Sequence, residues 1–219
     1  VPCLSTPWYH LFYFRKVIMI SFKYENNGLK DEQLNELNKF LNDNIKSIMD
    51  FFNFDKNIII TIKIFECKDN LDNYVLNHMG NKLKDYTVGL IKPENDTVLC
   101  CSYNDYDNTV HKKESFIDYQ KMILHECVHI LHTYYMIQDS SYFYSYLWEG
   151  IACYLTKQYE QCNINNVEIK DVLYENVSYR VYYSIVKKIV EKYGIKKLKE
   201  ILKFDKDSIY ILKEIINKE

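Results

Sequence analysis

His125-Glu126-Cys127-Val128-His129 sets two imidazoles four residues apart with a carboxylate directly after the first. On a helix, positions i and i+4 stand one above the other about 6 Å apart along the axis, so both rings can converge on one cation. Glu126 then projects beside the ion rather than onto it. The spacing is an HExxH motif, and its residue types suit zinc. Two neutral histidines and one carboxylate hold such an ion with a fourth position open to water, which marks a catalytic site rather than a closed structural one. The metal lowers the pKa of that water, and Glu126 is placed to take the proton as general base. Glu149-Gly150 stands about twenty residues downstream, in the right setting to complete the site.

The neighbouring residues predict the helix. Phe116, Ile123, Leu124, Cys127, Ile130, Leu131 and Tyr134 recur as one apolar face, while Asp118, Met122, His125, His129 and Met136 form a second stripe. An apolar back and a histidine front suit a wall between core and cleft. His132 also falls on the histidine stripe, but its axial separation from His125 is about 10 Å, too far for one helix to wrap three rings around one ion. It is read as a residue supporting the site from outside, or as a surface residue.

Tyr146-Leu147-Trp148-Glu149-Gly150-Ile151-Ala152-Cys153-Tyr154-Leu155 reads as a second helix. Gly150 and Ala152 allow close approach to the first helix, with Glu149 facing it. With these residues the chain resembles the gluzincins, the HExxH…E zinc metallopeptidases that include thermolysin-like, aminopeptidase-like and clostridial-collagenase-like proteins. Glu149-Gly150-Ile151-Ala152 is similar to the EG-x-A signature in which the Glu is the third zinc ligand. The resemblance implies that His125, His129 and Glu149 are the ligands and Glu126 the base. A metzincin-like site would need Gly at 132 and His at 135, where this chain has His132 and Tyr135. No aspzincin-like Asp ligand is found near Asp139. One departure stands out: the group commonly carries an acidic residue four places after the ligand Glu, orienting a ligand histidine, and here that place is Cys153. Another carboxylate, a carbonyl or water must then accept the ring N–H. Cys127 and Cys153 read as small buried residues rather than ligands.

The rest of the chain must position these groups. Strands are expected over residues 17–24 and 57–66, separated by a helix over 31–52 with Leu34, Leu37, Phe40, Leu41, Ile45, Ile48 and Met49 at helical spacing. A short helix follows over 68–78. Residues 86–91 and 97–103 form a hairpin around the turn-forming Pro93-Glu94-Asn95-Asp96. In zincins of this type the strand before the metal helix is an edge strand that pairs with extended substrate, and residues 97–103 occupy that place. Beyond Glu149 the pattern is helical. Tyr179, Tyr182, Ile185, Val186, Ile189, Val190 and Tyr193 form a stripe that ends at Gly194, and 196–202 and 208–216 are two further helices.

The expected architecture is therefore α+β and zincin-like. Residues 1–138 carry a mixed sheet and the HExxH helix, and 139–219 form a helical subdomain bearing the third ligand, in one catalytic unit. The stretch 179–194 is similar to a helix of collagenase-like and peptidase-MA-like members in which a Tyr near the start faces the metal. On that resemblance Tyr179 is nominated to stabilise the oxyanion, with Tyr182 and Tyr183 as substitutes and a packing role as the competing reading.

Composition agrees with one enzyme unit of 219 residues, 47% hydrophobic and 26% charged. A net charge of −2 offers nucleic acid or an anionic membrane no electrostatic attraction. Leu11 to Ile20, the nearest to an apolar run, is interrupted by Arg15-Lys16. No secretory signal is visible, and seven cysteines do not suggest a disulfide framework, so the default expectation is a reducing cytoplasm. The first eighteen residues hold two of the three prolines and no Asn, Asp or Glu. They are read as peripheral or non-native material ahead of Met19, or as the end of a longer precursor, in which case secretion is open. The expected activity is zinc-dependent hydrolysis of peptide or protein substrates. The alternatives are a non-catalytic peptide-binding scaffold with a zincin fold, which Cys153 favours, and a zinc hydrolase of non-peptide amides.

Overall fold

The computed structural model describes residues 19–137, 144–161, 168 and 178–218. The expectations for residues 1–18 and for the segment around Asp139, including the subdomain boundary, lie outside them. The fold is α+β, a small mixed sheet with six helices among the described residues.

Strand β1 (Ile20–Asn26) leads through α1 (Asp31–Phe52) to β2 (Ile58–Phe65), and the two strands pair in parallel. The long crossover helix makes that pairing possible. Leu37, Leu41, Ile45, Ile48 and Phe52 of α1 are buried at the spacing the sequence predicts. Next come α2 (Lys68–Met79), β3 (Gly89–Lys92), β4 (Thr97–Cys101) and α3 (Phe116–Tyr135). The hairpin β3–β4 is antiparallel, with a single 3₁₀ turn at Pro93–Asn95.

Sheet order is β1-β2-β4-β3. The expected edge strand is thereby corrected: β4 lies inside the sheet, parallel to β2 and antiparallel to β3, and β3 is the edge on that side, with β1 at the other. The reason is packing. Val98, Leu99, Cys100 and Cys101 are all fully buried, so both faces of β4 are covered. Successive side chains of a strand point to opposite faces. Cys100 reaches the Tyr119 hydroxyl of α3 at 3.7 Å, while the backbone N–H of Lys68 at the start of α2 is held by Asp105, just beyond β4. Helices α2 and α3 both pack against β4, and α1 and β3 also pack against α3.

Helix α3 begins at a capping box. The Ser115 hydroxyl accepts from Asp118 N–H, and the Asp118 carboxylate accepts from Ser115 N–H at 2.9 Å. The remaining elements are α4 (Ser145–Thr156), α5 (Tyr179–Ile201) and α6 (Lys206–Asn217). Helix α5 is broken at Gly194, whose φ of 81° and ψ of 161° lie in a region open to glycine. That is the helix end the sequence places there. No helix of the described residues is long and apolar enough to cross a membrane.

Candidate metal centre

Helix α3 carries His125, Glu126 and His129 to the place where α4 packs across it. His125 and His129 are only 5% and 3% exposed, so the histidine face is covered by protein rather than forming an open cleft wall. Their rings meet edge to face with centroids 4.6 Å apart. Glu149, on the first turns of α4, points its Oε2 at both: 3.0 Å from His125 Nε2 and 3.4 Å from His129 Nε2.

These three side chains could hold a metal ion: one ligand atom from each lies within 4.8 Å of the others. Distance gives a direct fit test. Ligand bonds of 2.0–2.1 Å at tetrahedral angles put neighbouring ligand atoms about 3.3 Å apart. The two separations to Glu149 Oε2 bracket that value. Charge agrees as well. Burial works to raise the Glu149 pKa, but hydrogen bonds from His125 and His129 outweigh it and hold the carboxyl well below its ordinary range. Burial, reinforced by His125, pushes His129 down to about 4, so its ring is neutral. Burial disfavours charge on His125, but Cys153, Glu149 and Glu126 together favour its protonated form. A proton on His125 thus offsets the buried carboxylate in the metal-free chain, and metal and proton compete for that nitrogen.

Glu126 sits beside this group. Burial pushes its carboxyl up to about 7, opposed by His125 and reinforced by the charge of Glu149. Such a value is that of a group able to take and give a proton near neutrality. The edge strand runs next to it: a Cβ on Gly89, the first residue of β3, would collide with Met122 Sδ and lie 3.6 Å from Glu126 Cγ.

His125 and His129 are held differently. His125 Nδ1 faces Gln158 Oε1 at 2.8 Å and, more distantly, Cys153 Sγ at 3.8 Å. His129 lies flat on the Trp148 indole, centroids 4.5 Å apart and planes 2° from parallel. Its Nδ1 is buried with no hydrogen-bond partner among the described residues. Neither Gln158 nor Trp148 is singled out by motif reasoning. Trp148 is next to Glu149, so on a helix its side chain points about 100° away from the ligand, and only the packing of α3 against α4 brings it over the rings.

His132 is not part of the metal group, as its axial separation from His125 implies. The surface reading of it is corrected: it is fully buried, stacked against Phe52 and Trp148, and its Nε2–H donates to the Leu202 carbonyl at 2.8 Å. Burial lowers its pKa to about 3, so it is a neutral core residue. Gly150 also differs from expectation. A Cβ there would lie 2.7 Å from both Tyr182 O and Val186 Cγ2, so the closest approach it permits is to α5. Backbone cannot yield as a flexible side chain can. Gly150→Ala is expected to cost about 1–3 kcal/mol of stability, read from denaturant unfolding; an unchanged midpoint would contradict the contact.

That contact places the start of α5 over the site. The Tyr179 ring lies 6.1 Å from that of His125 and is 40% exposed, so it faces the site from the solvent side. Burial, followed by the nearby Glu149 and Glu126 charges, raises its phenol pKa and keeps it a hydrogen-bond donor. Tyr182 packs edge-on to Tyr179, and Tyr183 is buried against Tyr154. The Tyr179 ring is the one seen against His125.

No protein-family model matches the chain, and no curated protein sequence matches it.

Proposed function

We propose that the chain is a gluzincin-like zinc metallopeptidase that hydrolyses peptide bonds with Glu126 as general base. The observation that carries this reading is the convergence of His125, His129 and Glu149 with the Glu126 carboxyl, perturbed to about 7, beside them. His125, His129 and Glu149 would hold the ion. When bound, zinc supplies a Lewis acid that makes water a nucleophile near neutral pH and polarises a carbonyl oxygen.

The chain's own groups do the rest. Glu126 accepts the proton of the attacking water and delivers it to the leaving amine. Tyr179 donates a hydrogen bond to the carbonyl oxygen as negative charge develops there. Extended peptide is the substrate class that suits β3: on its outer side no strand of the described residues pairs with it, and main-chain hydrogen bonds there would hold a peptide beside Glu126 without side-chain preference.

Tyr179→Phe is expected to lower kcat about 10²-fold with zinc content unchanged, in steady-state kinetics on a cleaved peptide. A wild-type rate would assign the oxyanion to another donor. The function itself is tested with a quenched mixed-peptide library, assayed with chelator and again after zinc is restored. Cleavage that is lost and then recovered supports the enzyme. Zinc-loaded protein that binds these peptides and cleaves none would overturn it in favour of a non-catalytic peptide-binding scaffold.

A further inference from the structure

We propose that Gln158 is the positioning residue of the metal centre, replacing by an amide from beyond the helix end the acceptor that Cys153 does not provide. This rests on the reading that His125, His129 and Glu149 hold zinc.

His125 Nε2 points at Glu149 Oε2, so a metal ligated there requires the proton of the neutral ring to sit on Nδ1. That N–H is buried and needs an acceptor. Gln158 Oε1 lies 2.8 Å away, a full-strength hydrogen bond, whereas the Cys153 sulfur at 3.8 Å is a weak acceptor. An amide is neutral, so it fixes the ring without adding negative charge to a site that already holds Glu126 and Glu149.

The backbone is shaped to deliver this side chain. Helix α4 ends with Lys157 at φ 55°, a left-handed conformation that costs a non-glycine residue about 1 kcal/mol. The reversal is closed by the pair of bonds of a Schellman end, Lys157 N–H to Tyr154 O at 3.3 Å and Gln158 N–H to Cys153 O at 3.2 Å. Lys121 of α3 donates to the Lys157 carbonyl at 3.0 Å, tying the turn back to the metal helix. Gln158 thereby returns to the helix that bears His125, 33 residues earlier in the chain. His129 has no such oxygen partner among the described residues, so the hydrogen-bonded orientation of the ligand pair depends on Gln158.

The test measures Zn²⁺ affinity by competition with a chromogenic chelator, with far-UV circular dichroism as the control for folding. Gln158→Leu should weaken Zn²⁺ binding about 10–100-fold, the usual effect of removing a partner that orients a metal-bound histidine. Gln158→Glu, which keeps an oxygen acceptor, should restore the affinity, and Cys153→Ala should leave it within about 3-fold. The Co²⁺-substituted Leu variant should also show an altered d–d absorption, because the ring is no longer fixed. Wild-type affinity in Gln158→Leu, or the loss appearing in Cys153→Ala instead, would overturn the assignment while leaving the metal centre standing. A wild-type chain that takes up no Zn²⁺ would overturn both.

Discussion

Glu126→Gln is expected to lower kcat/KM for peptide cleavage by about 10³-fold or more, some 4 kcal/mol of barrier, while the protein still binds one zinc ion. The amide has the carboxylate's shape but cannot accept a proton, and Glu126 is not one of the three converging ligand groups. Stability separates this loss from misfolding. Burial raises the Glu126 pKa to about 7, so in the metal-free chain its ionised form is disfavoured by the fold. The folded state therefore holds a proton that the unfolded state releases from about pH 4.5, and stability falls as pH rises through that window. A neutral Gln escapes the penalty, and the metal-free variant should be at least as stable as wild type at pH 8. Retained turnover would remove Glu126 from the mechanism, and a variant that unfolds would give it a structural role instead. Zinc content, kinetics and thermal unfolding of the same preparation decide among these.

His129→Ala and Glu149→Ala should each lose zinc, and with it chelator-sensitive cleavage. Deleting a ligand removes a metal bond outright, so the fall in affinity should exceed the roughly 10–100-fold that follows loss of an orienting partner. The two variants differ in what they leave behind. Without Glu149, the buried His125 and His129 lose the carboxylate whose hydrogen bonds favour their charged forms, and the apo protein should resist acid less well. Without His129, Trp148 loses the ring stacked on it, and a cavity opens beneath the indole. Elemental analysis after dialysis reads the zinc, and acid unfolding reads the difference. Stoichiometric zinc in either variant would contradict the ligand set.

The local features of this protein were legible from its residues. Helix α1 spans residues 31–52, as the spacing of Leu37, Leu41, Ile45 and Ile48 predicts. The hairpin at Pro93–Asp96, the helix bearing HExxH and the break at Gly194 follow from equally local signals. The features that depend on which element meets which were not. Strand order placed β4 inside the sheet, and the sign of it was present in Val98-Leu99-Cys100-Cys101, an uninterrupted apolar run rather than the alternation of a half-covered strand. Gly150 announces that something comes close, but a missing side chain does not name its neighbour, here Tyr182 of α5. Gln158 carries no motif, and its reach to His125 depends on one left-handed residue at Lys157. His132 shares the histidine spacing yet belongs to the core, because Phe52 and Phe204 flank it beyond the reach of the metal group.

The most direct test of the central claim is anomalous diffraction at the zinc absorption edge from crystals of the wild-type protein purified with zinc. One strong peak is expected about 2.0–2.2 Å from the Nε2 atoms of His125 and His129 and from a carboxylate oxygen of Glu149. A crystal of zinc-supplemented protein with no peak between these three side chains, or with its peak elsewhere, would contradict it.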